Sequence, residues 1–147
     1  MQARRNRQSA EQRVSSMAQR EQIQRVNDNC NGSLSLESVR DRLREFAAAR
    51  DWNQFHSPKN LTIALSVEAG ELLEQFQWLT DQESAALADD KLEKIEAEMA
   101  DVLLYLIRLA DVLDVDLLTA ANAKIDENEK KYPVEKSRGS AKKYTEL

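Results

Sequence analysis

The part of this sequence best suited to chemistry is a set of four acidic residues, Glu68, Glu71, Glu98 and Asp101. The first two lie inside an apolar stretch, and the other two lie beside further apolar residues. Carboxylates are costly in such surroundings unless something compensates their charge. Each pair is spaced i, i+3, which on a helix places both groups on one face about one turn apart. Two facing helices could therefore direct four carboxylates at one point.

A hard divalent cation would compensate such a cluster. Mg²⁺ is held by a few carboxylates and keeps positions for water and substrate phosphates. The pattern therefore predicts a Mg²⁺ site formed by Glu68, Glu71, Glu98 and Asp101. A single Glu-x-x-Glu more often lies on the solvated face of an amphipathic helix, but two pairs in adjacent apolar helices favour the metal site. Gly70, between the first two acids, would permit a backbone or ligand to approach closely.

The elements that must position these acids are helices. Among 147 residues there are three glycines and two prolines, too few turn-formers for a sandwich, a barrel or a doubly wound sheet. Apolar residues recur at three- and four-residue spacing, which predicts four helices. These run from a cap at Ser33 or Ser35 to about Arg50, from Pro58 to about Leu79, from about Lys91 to about Leu113, and from a cap at Asp114 or Asp116 to about Lys131. Residues 80–90 are expected to form a loop or a short turn of helix.

The third predicted helix is apolar nearly all round, including the run 102–107. A small chain cannot easily cover such a helix, so the predicted fold is an all-α four-helix bundle completed by oligomerisation. Residues 1–33 are rich in Gln, Arg, Ser and Asn and are expected to form a disordered or loosely helical tail. Residues 34–133 are then the folded domain, and residues 134–147 are a C-terminal tail.

Charge and composition exclude several classes of protein. The net charge is −5, and the body of the chain is acidic, which argues against binding DNA, RNA or an anionic membrane surface. The longest apolar run is far shorter than the roughly 20 residues of a membrane span. Cys30 is the only cysteine, so no intramolecular disulfide framework can form. A cytoplasmic location is therefore expected.

The order and spacing of the acids resemble the MazG-like all-α nucleoside triphosphate pyrophosphohydrolases, whose signature is Glu-x-x-Glu, a spacer and then Glu-x-x-Asp. Within that family the sequence is most similar to the dCTP pyrophosphatases, in residues 50–52, 55–61, 74–78, 124–128, 132–134 and 137–141. The resemblance covers about residues 34–147. It implies Mg²⁺-dependent hydrolysis of dCTP and C5-modified dCTP to the monophosphate and pyrophosphate, a role in nucleotide-pool sanitation, and a homotetramer built as a dimer of dimers.

The resemblance also implies substrate contacts. Trp52, Trp78 and Tyr105 would line the base pocket, where aromatic faces stack on nucleobases; from the residues alone, the tryptophans could equally be core anchors. Lys124 and Asn128 would otherwise lie on a solvated helix face, but the resemblance places them at the phosphates and the deoxyribose. The sequence departs from some relatives at position 43, where it has Leu and they carry histidine near the base.

Two alternatives remain open at the level of the sequence. One is a house-cleaning pyrophosphatase of broader specificity, because the acid signature is shared and only the pocket differs. The other is a non-enzymatic helical module that uses its apolar third helix for dimerisation. His56, the only histidine, is expected to be a structural hydrogen-bonding residue rather than a metal ligand.

Overall fold

The computed structural model describes residues 35–146. Its α-helices are α1 (Leu36–Ala48), α2 (Pro58–Glu74), α3 (Asp81–Ser84), α4 (Asp89–Val112), α5 (Leu117–Lys131) and α6 (Val134–Ser137), with 3₁₀ turns at Trp52–Phe55 and Tyr144–Glu146. Residues 35–146 contain no strand, and the predicted all-α class is confirmed. The predicted tail, residues 1–33, lies outside the described residues.

Local capping groups explain where the helices begin. The Ser57 side chain accepts a hydrogen bond from the Asn60 backbone N–H at 3.2 Å, and Pro58 occupies the first turn of α2, where its missing N–H costs nothing. The Asp116 carboxylate caps α5 by accepting from the Thr119 backbone N–H at 2.9 Å. These are the starts that the sequence predicted for the two helices.

The end of α2 differs from the sequence prediction. The helix stops at Glu74, five residues before Leu79, and a turn follows it. At this point i→i−3 hydrogen bonds replace the i→i−4 hydrogen bonds of the α-helix. The Gln75 N–H donates to the Leu72 carbonyl, and the Phe76 N–H donates to the Leu73 carbonyl. Apolar periodicity continues past this turn, so it carries no signal for the helix end.

The principal helix pair is α2 with α4, and the two helices run antiparallel. Lys91, near the start of α4, donates to the Gln75 side chain just after α2, at 2.9 Å. Arg108, near the end of α4, donates to Asn53 and His56 just before α2. The two helices therefore face each other along their lengths, which places the middle of α2 opposite the middle of α4.

The buried apolar core is small. Among the described residues, 35–146, it consists of Ala47, Leu61, Ile95, Ile107 and Ala110. Many larger apolar side chains are exposed, among them Ile63, Val67 and Leu73 on α2 and Met99 and Leu103 on α4. Residues 35–146 thus leave the α2–α4 pair incompletely covered, and completion by oligomerisation stays a prediction.

The described residues from Arg40 onward form one compact unit, which begins inside α1. All the site residues discussed below belong to this unit. Within residues 35–146, no helix combines the length and the apolar character that crossing a membrane requires.

Candidate active site

Three of the four predicted acids meet between α2 and α4. Glu68 comes from α2, and Glu98 and Asp101 come from α4. One carboxylate oxygen of each lies within 4.8 Å of the other two. Glu68 and Glu98 are partly buried, whereas Asp101 is exposed. The antiparallel pairing of the helices brings these groups together, and we call them the acid cluster.

The acid cluster is electrostatically uncompensated in the described part of the chain. Partial burial raises the pKa of Glu68, and the charges of Glu71, Asp101 and Glu98 raise it further. Within residues 35–146, none of these four carboxylates forms an ion pair with a lysine or arginine. A bound cation would relieve the repulsion. Three convergent carboxylate oxygens are the hard donors that Mg²⁺ takes, so the residues present fit that ion.

Glu71, the fourth predicted acid, does not belong to the acid cluster. It follows Glu68 on α2 and is exposed, but its charge still acts on the pKa of Glu68. Its predicted role as a ligand stays a prediction. At Gly70, an added Cβ would meet no atom within 4 Å, so no described residue makes the close approach expected there.

A pocket of about 200 Å³ adjoins the acid cluster. It is lined by Leu43, Phe46, Ala47, Trp52, His56, Asp101, Leu104, Tyr105 and Arg108. Asp101 is therefore shared, because it belongs to the acid cluster and also lines the pocket. A ligand in the pocket can place one end against the carboxylates while its other end lies among aromatic and aliphatic side chains.

Trp52 and Tyr105, two of the predicted base-binding residues, line this pocket. The Trp52 ring makes edge contacts with Phe46, at 5.7 Å between centroids, and with the His56 ring, at 6.4 Å. The 3₁₀ turn that carries Trp52 begins after Asp51, whose backbone is left-handed at φ 54°. Aromatic side chains held in this way offer ring surface to a planar ligand.

The other three predicted substrate-binding residues lie outside the pocket of the subunit. Trp78 follows α2 and is 85% exposed. Lys124, on α5, is paired with Glu127 at 2.7 Å, and Asn128 is exposed on the same helix. None of the three lines the pocket of about 200 Å³, and their roles stay predictions.

Sequence reasoning did not single out a charged network that includes two further pocket residues, Arg108 and His56. Arg108, only 9% exposed, donates from Nε to His56 Nδ1 at 3.1 Å and from Nη2 to Asn53 Oδ1 at 2.6 Å. Its Nη1 donates to Asp111, which also accepts from Arg44. The signal available in the sequence was the i, i+3 spacing of Arg108 and Asp111 within an apolar helix.

This network keeps its charges at neutral pH. Burial raises the pKa of Asp111, but the hydrogen bond from Arg44 and the charges of Arg44 and Arg108 outweigh it, so the pKa lies below its usual value. Burial lowers the pKa of His56, and the charge of Arg108 lowers it further. The imidazole is therefore neutral beside a charged guanidinium, and it holds the hydrogen bond that the sequence led us to expect of it.

Residues 63–147, more than half of the chain, match the MazG-like family. The chain belongs to the MazG-like family. This confirms the resemblance that the order and spacing of the acids indicated.

Named relatives of this MazG-like protein are pyrophosphatases. It is 50% identical to dCTP pyrophosphatase 1 of Rattus norvegicus and 47% identical to dCTP pyrophosphatase 1 of Homo sapiens, each over 115 residues, which are 77% of this chain and 68% of the relative. A crystal structure of a pyrophosphatase from Archaeoglobus fulgidus is also similar, with a TM-score of 0.65 and 39% identity, over 70% of this chain and 96% of that chain.

Proposed function

We propose that this MazG-like protein is a Mg²⁺-dependent pyrophosphohydrolase that converts dCTP and C5-modified dCTP to the monophosphate and pyrophosphate, as part of nucleotide-pool sanitation. The observation that carries the proposal is the position of Asp101, which belongs to the acid cluster and also lines the pocket. A nucleoside triphosphate matches this arrangement, because its planar base and its charged phosphates lie at opposite ends. The relatives named dCTP pyrophosphatase 1 support the same activity.

Glu68, Glu98 and Asp101 would hold the metal, with Glu71 as the fourth acid of the site. When bound, Mg²⁺ neutralises phosphate oxygens and positions or activates water. A carboxylate oxygen of the acid cluster that is not occupied as a ligand accepts the proton of the attacking water. The raised pKa of Glu68 is consistent with a site in which added positive charge is favourable.

The aromatic residues of the pocket bind the base. Trp52 and Tyr105 line it already in one subunit, and stacking on such rings is worth roughly 1–3 kcal/mol per base. Every base has a ring face, so stacking does not choose among them. Selection of cytosine therefore depends on hydrogen bonds to its edge and on the size of the pocket, because unmatched polar groups are costly where water is excluded.

The active form is a homotetramer built as a dimer of dimers. Exposed Met99 and Leu103 on α4 and exposed Ile63 and Val67 on α2 support an oligomer, because burying such side chains is favourable. In an oligomer, Trp78 can approach the base pocket of a neighbouring subunit, and Lys124 and Asn128 can approach its phosphates and deoxyribose. The protein acts in the cytoplasm, where its nucleotide substrates are dissolved.

The proposal is tested by pyrophosphate release from a panel of nucleotides in the presence of Mg²⁺. We expect the highest kcat/KM for dCTP and C5-substituted dCTP, and clearly lower values for dTTP, dATP and CTP. If dUTP or a purine nucleotide is the best substrate, the protein is the broader house-cleaning enzyme, and Leu43 in the pocket wall is the first residue to exchange. If pyrophosphate is released from no nucleotide, the proposed activity is wrong, and the alternative of a non-enzymatic helical dimerisation module is favoured.

A further inference from the structure

The pocket is lined by three segments of the chain, which are α1, the segment between α1 and α2, and α4. Apolar packing holds α1 only weakly, because among residues 35–146 Ala47 is the one α1 side chain in the buried apolar core. Phe46, which also lines the pocket from α1, is 46% exposed. The position of α1 against α4 therefore depends on polar contacts as well.

Asp111 provides such a contact, because its two carboxylate oxygens bind different partners. Oδ1 accepts from Arg44 on α1, at 2.8 Å from Nε and at 2.5 Å from Nη2. Oδ2 accepts from Arg108 Nη1 at 2.5 Å. Arg108 in turn donates from Nη2 to Asn53, which follows Trp52 in the 3₁₀ turn. One carboxylate on α4 thus connects both α1 and the turn to the same helix.

This connection persists at neutral pH. Burial raises the pKa of Asp111, but the hydrogen bond from Arg44 and the charges of both arginines lower it below its usual value. The Asp111 side chain is only 5% exposed, so water competes little for these charge-assisted hydrogen bonds. Arg44, Asn53 and Asp111 do not line the pocket themselves. Each of them can act on a ligand there only through the neighbouring residues that do.

We propose that Asp111 is a positioning residue that, through its two arginine partners, holds α1 and the 3₁₀ turn at the separation that binds the base. The inference rests on the proposed function and extends it to residues that do not touch the substrate. The Trp52 ring of the turn makes an edge contact with Phe46 of α1, so a shift of either segment changes the ring surface offered to a base. The acid cluster takes no part in this connection, so the metal site is expected to be unaffected by its loss.

The kinetic constants distinguish this role from a purely structural one. In Asp111→Asn an amide N–H₂ group replaces one carboxylate oxygen and opposes a guanidinium donor with another donor. We expect KM for dCTP to rise about tenfold, while kcat stays within about threefold of the wild type and the Mg²⁺ concentration at half-maximal rate is unchanged. The assay is run at a temperature at which circular dichroism shows the variant to be folded. A substitution that only reduced the amount of folded enzyme would lower the apparent kcat and leave KM unchanged.

Arg44→Met tests the same connection with less risk to folding, because the Arg44 side chain is 52% exposed. We expect a KM for dCTP about threefold above that of the wild type. The double variant with Asp111→Asn should have the KM of Asp111→Asn alone, since both substitutions break the same contact. Arg42→Met is the matched control and should keep the wild-type KM. Arg42 is an exposed residue of the same helix, to which residues 35–146 offer no hydrogen bond or ion pair.

The indole signals report on the geometry of the pocket without any nucleotide. The sequence contains two tryptophans, so ¹⁵N-labelled protein gives two indole N–H signals, and Trp78→Phe identifies the signal of Trp52. In Asp111→Asn we expect the Trp52 signal to shift or broaden, while the signal of Trp78, which is 85% exposed, stays close to its wild-type position. A general loss of structure would change both signals.

The outcomes separate this inference from the proposed function. If the wild type hydrolyses dCTP but Asp111→Asn and Arg44→Met both keep its KM, the positioning role is wrong while the proposed function stands. A lower kcat with an unchanged KM also overturns the role, because a residue that only stabilises the fold behaves in that way. If Asp111→Asn does not fold, the KM of Arg44→Met decides the question. If the wild type releases pyrophosphate from no nucleotide, the proposed function fails and the positioning role fails with it.

Discussion

Helix α4 carries two aspartates whose surroundings are electrostatic opposites. Asp101 lies with Glu68 and Glu98, each with a carboxylate oxygen within 4.8 Å of the others. Asp111, further along the same helix, lies between two guanidinium groups, those of Arg44 and Arg108. In the first region the pKa of Glu68 is raised, and in the second the pKa of Asp111 is lowered.

The two regions differ in whether their charges are compensated within the described part of the chain. Asp111 and its two arginines satisfy each other within the chain, and removing one partner would leave an uncompensated charge. The acid cluster has no such partner within residues 35–146, so its repulsion persists until a cation binds. An acid whose pKa is raised by burial and by neighbouring carboxylates, beside a pocket, is typical of active sites.

The largest expected effect comes from neutralising the acid cluster. Glu68→Gln, Glu98→Gln and Asp101→Asn should each lower kcat/KM for dCTP about 1000-fold, because each removes a proposed metal ligand with little change in the size of the side chain. The midpoint of thermal unfolding without metal should stay the same or rise, since like charges are removed. Pyrophosphate release and a thermal melt on the same preparation measure both quantities.

A matched control for these variants is Glu96→Gln. Glu96 is an exposed acid of α4 outside the acid cluster. It should retain wild-type turnover. Equal losses in Glu96→Gln and Glu98→Gln would mean that acidity in general, rather than the acid cluster, supports activity.

The second expected effect concerns the network of Asp111 with Arg44 and Arg108. Asp111→Asn should lower the free energy of unfolding by about 3 kcal/mol, because it leaves Arg108 buried without its carboxylate partner. Unlike the acid-cluster variants, it should be destabilised equally with and without Mg²⁺. Urea unfolding under both conditions gives the two values, and an unchanged free energy would show that the network does not stabilise the fold.

Trp52 lines the pocket together with Asp101 and Arg108, and its replacement should give a smaller effect. Trp52→Ala removes ring surface from the pocket and should weaken dCTP binding by roughly 1–3 kcal/mol, while Mg²⁺ binding stays close to that of the wild type. Trp78→Ala is the companion variant, and its effect should depend on assembly because Trp78 lies outside the pocket of one subunit. If Trp52→Ala instead lowers the affinity for Mg²⁺, the proposed contact between the Trp52 ring and the base is wrong.

The smallest effect is the pH dependence of stability, which should have opposite signs in the two regions. The pKa of Glu68 is raised above its ordinary 4.5, so the wild type loses stability relative to Glu68→Gln as pH rises through the folded-state pKa. The pKa of Asp111 is lowered below its ordinary 3.8, so the wild type loses its advantage over Asp111→Asn as pH falls through the folded-state pKa. Metal-free unfolding between acid and neutral pH measures both trends, and trends of the same sign would contradict the comparison.

Local signals in the sequence predicted much of the fold. Ser57-Pro58 and Asp116 are capping groups, and they determine where α2 and α5 begin. The end of α2 was not predictable, because apolar residues continue through the turn to Leu79. The i, i+3 spacing also predicted the common face of Glu98 and Asp101, since that spacing is a local property of a helix, whereas Glu71 lies outside the acid cluster.

Contacts between residues that are distant in the sequence were harder to predict from the sequence. Arg44 and Asp111 are separated by 67 residues, and no periodicity connects them. The same holds for Arg108 with Asn53 and His56, which meet only because α2 and α4 run antiparallel. Predicting this network requires the packing of the helices rather than their positions in the sequence.

The central claim, that the acid cluster is the metal site of a dCTP pyrophosphohydrolase, is tested most directly by titrating metal-free protein with Mg²⁺ while pyrophosphate release from dCTP is followed. The account predicts no release in the presence of a chelator, a saturable rise with Mg²⁺, and no comparable rise for Glu68→Gln. Release at the same rate with chelator present, or an unchanged Mg²⁺ dependence in Glu68→Gln, would contradict it.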